Sequence, residues 1–107
     1  MNDSEFITLA DQALRTIELA LEKSNTDLDC SMTSSGVLEI EFDDGGKIIV
    51  NRHAVAKEMW VAARSGGFHF RWDGQSWRDT RSGRELMVVL SELVSAQVGM
   101  SVDLGES

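Results

Sequence analysis

The sequence predicts an α+β fold: a two-layer α/β sandwich, with an antiparallel sheet covered on one face by an N-terminal and a C-terminal helix. Three observations predict it. Apolar residues near both ends recur at helical spacing, the middle of the chain alternates apolar and polar residues, and turn signals rich in Gly, Asp and Ser separate the alternating stretches. Each strand then has one apolar and one polar face, as in an antiparallel sheet packed on one side and wet on the other.

The first helix opens at Asn2, which has capping-box spacing to Glu5, while Asp3 and Glu5 suit the positive end of the helix dipole. Phe6, Leu9, Ala10, Ala13, Ile17, Ala20 and Leu21 cluster on one face at about 100° per residue. Asp11, Arg15, Glu18 and Glu22 fall within a wedge about 60° wide, expected on the opposite face. Ser24-Asn25 is the predicted stop. Strands follow. Leu28, Cys30 and Met32 alternate with Asp27, Asp29 and Ser31, and after the turn Ser34-Ser35-Gly36, Leu38, Ile40 and Phe42 alternate with Val37, Glu39 and Glu41. Asp43-Asp44-Gly45-Gly46 is a hairpin signal leading into the β-branched stretch Lys47–Asn51. Beyond a link at Arg52–Ala56, Met59, Val61 and Ala63 alternate with Glu58, Trp60 and Ala62. Gly66-Gly67 turns the chain into Phe68, Phe70 and Trp72, and Asp73-Gly74 turns it into a short strand around Trp77. Ser82 and Glu85 have capping-box spacing ahead of Leu86, Val89, Leu90 and Leu93; Gly99 is the expected stop, and Ser101–Ser107 is expected to fray.

At 107 residues the chain has room for one domain, spanning 1–107. Hydrophobic residues make up 42% and charged residues 26%, a globular mix. The formal charge is −8, and its placement matters more than its size. Residues 1–50 carry eleven acids against three bases, whereas residues 51–107 carry seven of each. Such a chain is not expected to bind nucleic acid or an anionic membrane; a cation or a basic protein fits it better. No apolar run exceeds five residues, the acidic start lacks the features of a signal peptide, and the single Cys30 permits no internal disulfide. These features lead us to expect a soluble cytoplasmic protein.

Asp11, Glu18 and Glu22 share a helix stripe, and Asp27 and Asp29 lie on the strand that follows, so the five can form one ridge. Carboxylate oxygens are hard ligands, and an open ridge of them would hold a cation weakly and with little selectivity. A solvated helix face has the same appearance. Asp43-Asp44 lacks the spacing of a calcium loop, and His53 and His69 lie outside metal-ligand spacing. Cys30 takes an inward position beside acids that oppose a thiolate. No nucleophile–base grouping or phosphate-binding loop is present, so no enzyme is expected. Trp60 points to the wet face of its strand, and residues 52–84 hold seven bases against three acids. A large exposed aromatic there marks a contact surface.

Over nearly its whole length the chain resembles the bacterial frataxins. The carrying segments are Met1–Phe6 with Leu9–Gln12, Asp29-Cys30, Gly36–Leu38, Lys47–Arg52, Trp60, Gly66–Phe70 and Arg81–Gly83. The resemblance implies the same sandwich and a role in iron–sulfur cluster assembly. It implies weak, transient binding of ferrous and ferric iron on a ridge made of Asp11, Glu18, Glu22, Asp27 and Asp29, with Asp3 and Glu5 nearby. It further implies docking onto the cysteine desulfurase and the scaffold machinery, which the protein would regulate as a non-enzyme, monomeric when metal-free. Trp60 and Asn51, with Glu18 and Glu22, would meet the partner. Leu19 and Lys23 stand where the family commonly has acids, which lowers the ridge charge, and Val55 occupies the region of the family's usual proline. Two other readings remain at this level: a ferroxidase that stores iron in oligomers, and an interaction module for which metal is incidental.

Overall fold

The computed structural model describes residues 1–24 and 28–104. Helix α1 (Asp3–Lys23) is followed by strands β1 (Leu28–Met32), β2 (Val37–Phe42), β3 (Lys47–His53), β4 (Glu58–Ala63), β5 (Gly66–Trp72) and β6 (Trp77–Asp79), and then by helix α2 (Leu86–Val98). The six strands form one antiparallel sheet in sequence order, β1 to β6. Both helices pack on the same face, giving the two-layer α+β sandwich that the periodicities predict.

Asn2 caps α1 as its spacing requires. Its side chain accepts from the Glu5 N–H at 2.8 Å, and the Glu5 carboxylate accepts from the Asn2 N–H at 3.0 Å. The buried stripe is Phe6, Ala10, Leu14, Ile17 and Leu21. Leu14 widens this stripe toward Asp11, only about 60° away around the helix. The acidic stripe therefore runs along the flank of the buried face rather than opposite it, and Glu18 is half-buried.

Leu38, Ile40, Ile48, Val50, Met59, Val61 and Phe70 point inward against the helices and are buried, as period-2 alternation dictates. Strand β3 continues to His53, two residues past the expected end, because Arg52 and His53 pair with Met59 and Glu58. The expected link is thus the tip of a tight hairpin, with Lys57 in the left-handed region at φ +55° and Val55 exposed. Helix α2 begins at Leu86, not at Ser82. Arg78 bridges Glu85 and the Asp79 N–H bonds the Arg84 carbonyl, so residues 84–85 lie beside β6; the Ser82 hydroxyl accepts from the Arg84 N–H instead of capping the helix. Gly99, at φ +77°, ends α2 as expected.

The expectation of a frayed tail does not hold for Ser101–Leu104. The Val102 and Leu104 N–H groups donate to the Ser95 and Ser91 hydroxyls, both at 2.8 Å, and Leu104 is buried. Two serines one turn apart on α2 dock this segment, a signal that hydrophobic patterning does not carry. Residues 105–107 lie outside the described residues.

Candidate functional site

The ridge acids meet different neighbours along α1. At its N-terminal end, Asp3 accepts from the Lys57 Nζ at 2.7 Å, which holds its carboxyl below the usual range. Glu5 is spent on the cap. Asp11 forms an ion pair with Arg52, whose side chain is only 19% exposed. Further along, Glu18, Glu22 and Asp29 form no ion pair among the described residues. Burial pushes the Cys30 thiol up, and the charges of Glu18, Glu22 and Asp29 add to that shift. Asp27 lies outside the described residues.

Asp29 stands opposite Glu41 across the β1–β2 pairing, which extends the negative surface onto the sheet. It ends at Lys47, which pairs with Glu39 at 2.7 Å; the Glu39 carboxylate holds the Lys47 ammonium above its usual value. Among the described residues, no three His, Cys, Asp or Glu side chains group closely enough to chelate an ion. The ridge is an open charged surface. It can hold a largely hydrated cation, or a basic protein surface, through several weak contacts.

The open sheet face carries a second feature. Trp60 points to this face as its alternation requires, but it is half-buried, because His53 and His69 stack on its two sides at centroid distances of 3.8 and 4.5 Å, each tilted 10°. Its indole Nε1 donates to Glu58 at 2.8 Å, and Arg71 donates to the other Glu58 oxygen at 3.0 Å. Glu58 is 7% exposed, the single buried charged residue among those described. Burial pushes its carboxyl up. The hydrogen bonds from Trp60 and Arg71, with the charges of Arg71 and His69, outweigh that and leave it below the usual range. Asn51 lies beside Trp60 in register. Among the described residues the structure therefore leaves Glu18 and Glu22 without an ion pair on the flank of α1 and places Asp29, Asn51 and Trp60 on the open sheet face, while Asp3 and Asp11 are engaged by internal cations. Arg52, Lys57, Glu58 and the two stacking histidines escape sequence reasoning. Period-2 alternation gives the strand face of Glu58, but not its cover of neighbouring rings.

The chain matches the model of the frataxin-like domain over residues 1–100. It is 62% identical over 104 residues to the iron-sulfur cluster assembly protein CyaY of Dechloromonas aromatica, covering 97% of this chain and 99% of that one. It is 48% identical over 109 residues to the protein of the same name from Cupriavidus necator, covering 98% and 97%. Among solved structures, frataxin from Psychromonas ingrahamii superposes with a TM-score of 0.91 at 39% identity, covering 99% of this chain and all of that one. A trimeric frataxin from the yeast Saccharomyces cerevisiae, complexed with ferrous iron, superposes with a TM-score of 0.67 at 25% identity, covering 89% and 86%.

Proposed function

The chain belongs to the frataxin family, and from that premise we propose that it acts in iron–sulfur cluster assembly as an iron-binding regulator of the cysteine desulfurase machinery. The observation that carries the reading is that Glu18 and Glu22, one turn apart on the flank of α1, and Asp29 on the strand that follows form no ion pair among the described residues. Unpaired carboxylates on a flank attract a hard cation such as ferrous or ferric iron, and equally a basic protein surface. Iron is cargo here, held transiently. The names of the relatives and the ferrous complex of the yeast protein support the same assignment.

In this proposal the protein works in the cytoplasm, is a monomer when metal-free and catalyses no reaction of its own. The ridge docks onto the desulfurase, and the Trp60 face, with Asn51 beside it, meets the scaffold machinery. Stacking and the Glu58 hydrogen bond fix the indole before any partner arrives, so little side-chain entropy is lost on contact.

An anaerobic Fe²⁺ titration, followed residue by residue by NMR, tests the ridge. Shifts and broadening are expected at Glu18, Glu22 and Asp29; a response confined to other parts of the molecule refutes the assignment. Reversal of charge at Glu18 and Glu22 is expected to abolish capture by the desulfurase, and salt is expected to weaken capture by the unaltered chain.

A further inference from the structure

We propose that the free edge of β5 beside α2 is a docking groove for one extended segment of a partner protein, which adds a short antiparallel strand at Gly67 and sets an acidic residue against Arg81. The groove lies at the opposite border of the sheet from β1, and it stands whether or not the ridge binds a cation.

The sheet itself leaves the place open. Along β5 the backbone groups of alternate residues face β6. The Asp73 N–H bonds the Ser76 carbonyl at 3.0 Å, Arg71 stands opposite Arg78, and the His69 carbonyl accepts from the Thr80 N–H at 2.9 Å. Gly67 is next in this series, so its N–H and C=O point the same way. The chain that would meet them has turned off. The Gly83 N–H bonds the Asp79 carbonyl at 2.9 Å, and the Asp79 carboxylate accepts from the Arg81 and Ser82 N–H groups at 2.7 and 3.2 Å, which folds residues 79–83 into a turn. Among the described residues no backbone group pairs with Gly67 on that side.

Nothing in the fold calls for glycine at this position. Gly67 is outside the left-handed region, and a Cβ there would meet nothing nearer than the Val61 carbonyl, at 3.9 Å. Glycine inside a strand loses conformational entropy and packs no side chain. What it provides is an edge that another backbone can approach closely.

The space beside this edge is a cavity of about 450 Å³. Val89 and Leu93 of α2, with the half-buried Phe68, give it an apolar floor, and Thr80 and Arg81 stand at the end next to β6. Arg78 pairs with Asp73 and Arg84 with Glu92, whereas the exposed Arg81 forms no ion pair among the described residues. In an added strand the residue opposite Gly67 points to the open face, and its two neighbours point to the apolar floor. The residue beyond them at the β6 end meets the Arg81 guanidinium, which a carboxylate complements. The turn stops further pairing, so the groove takes one short strand and not the border of a second sheet.

Capped peptides added to the full chain, followed by amide NMR, test this. With acetyl-Glu-Val-Thr-Val-Thr-amide, saturable shifts are expected at Gly66–His69 and Arg81, together with slower hydrogen exchange of the Gly67 amide. Acetyl-Glu-Val-Pro-Val-Thr-amide has no N–H at the paired position and is expected to leave these amides unmoved. Arg81→Glu is expected to weaken the first peptide about fivefold and to bind acetyl-Lys-Val-Thr-Val-Thr-amide more tightly than the unaltered chain does. Absence of saturable shifts with the first peptide overturns the inference, as does equal binding of the proline peptide. Shifts confined to Arg81 and reproduced by sodium acetate overturn it in favour of an anion contact only. Gly67 shifts that grow with protein concentration and no peptide overturn it in favour of a second copy of this chain. An unchanged preference for the Glu peptide in Arg81→Glu overturns the role of Arg81.

Discussion

On the covered face of the sheet, Leu38, Ile40, Ile48, Val50, Met59, Val61 and Phe70 meet two helices and are at most 2% exposed. On the open face, Glu39, Lys47, Asn51, Glu58, Trp60, His69 and Arg71 meet one another and water. The first face is held by volume and removal of apolar area from water, which tolerates no missing methylenes. The second is held by directional contacts: an ion pair, a ring stack and a carboxylate that accepts from two donors. Such contacts add little net stability, so their residues can be chosen for what they present outward. The same strands thus carry the fold on one side and a polar, charged surface on the other.

The comparison breaks most visibly at Phe70. Phe70→Ala should destabilise the chain by about 3–5 kcal/mol, read as a large fall in the urea midpoint; a cost near 1 kcal/mol would show that the covered face relaxes freely. Leu104→Ala extends the question to the docked tail. A loss of about 2–3 kcal/mol is expected from calorimetry, and none if the tail merely rests on α2.

Glu58→Ala probes the open face. A cost of about 1–2 kcal/mol is expected, since Trp60 and Arg71 lose a shared partner but regain water. Trp60 emission should move to the red, isolated by subtracting a Trp60→Phe spectrum, and an unmoved spectrum would mean that the histidines alone hold the ring. The sign of the pH effect follows from the lowered carboxyl. Glu58 contributes stability fully above its ordinary value of 4.5, and loses that contribution as pH falls through its lower folded value. Glu58→Gln should therefore narrow the stability gap to the parent protein as unfolding is measured from pH 7 toward pH 3; a constant gap would contradict the lowered carboxyl.

Leu19→Glu is the smallest perturbation, because Leu19 is 50% exposed on α1. Its effect on stability should stay within about 0.5 kcal/mol. Cation binding at the ridge should tighten, and calorimetric titration that shows no change would place position 19 outside its field.

The fold was legible wherever burial has a period. Phe6 to Leu21 and the alternation through β2 to β5 announce themselves, because one face of each element must leave water. The side of α1 that carries the acids was less legible, since the omission of Leu14 from the apolar stripe shifts its centre away from Asp11. Contacts between distant residues leave no local pattern at all. Arg52 meets Asp11 across 41 positions, and Lys57 meets Asp3 across 54. The stripe of Glu18 and Glu22 on α1 was legible from helical periodicity; the ion pairs that engage Asp3 and Asp11 beside it were not.

The two borders of the sheet have a consequence for how copies of this chain can associate. Strand β6 is three residues long and is followed by the Arg78–Glu85 bridge, and the opposite border, β1, carries the exposed Asp29 opposite Glu41. Short or charged borders resist pairing with a neighbour's backbone. Growth of a continuous sheet from molecule to molecule is thereby discouraged at both borders. Association is left to side chains, where ionic strength can reverse it.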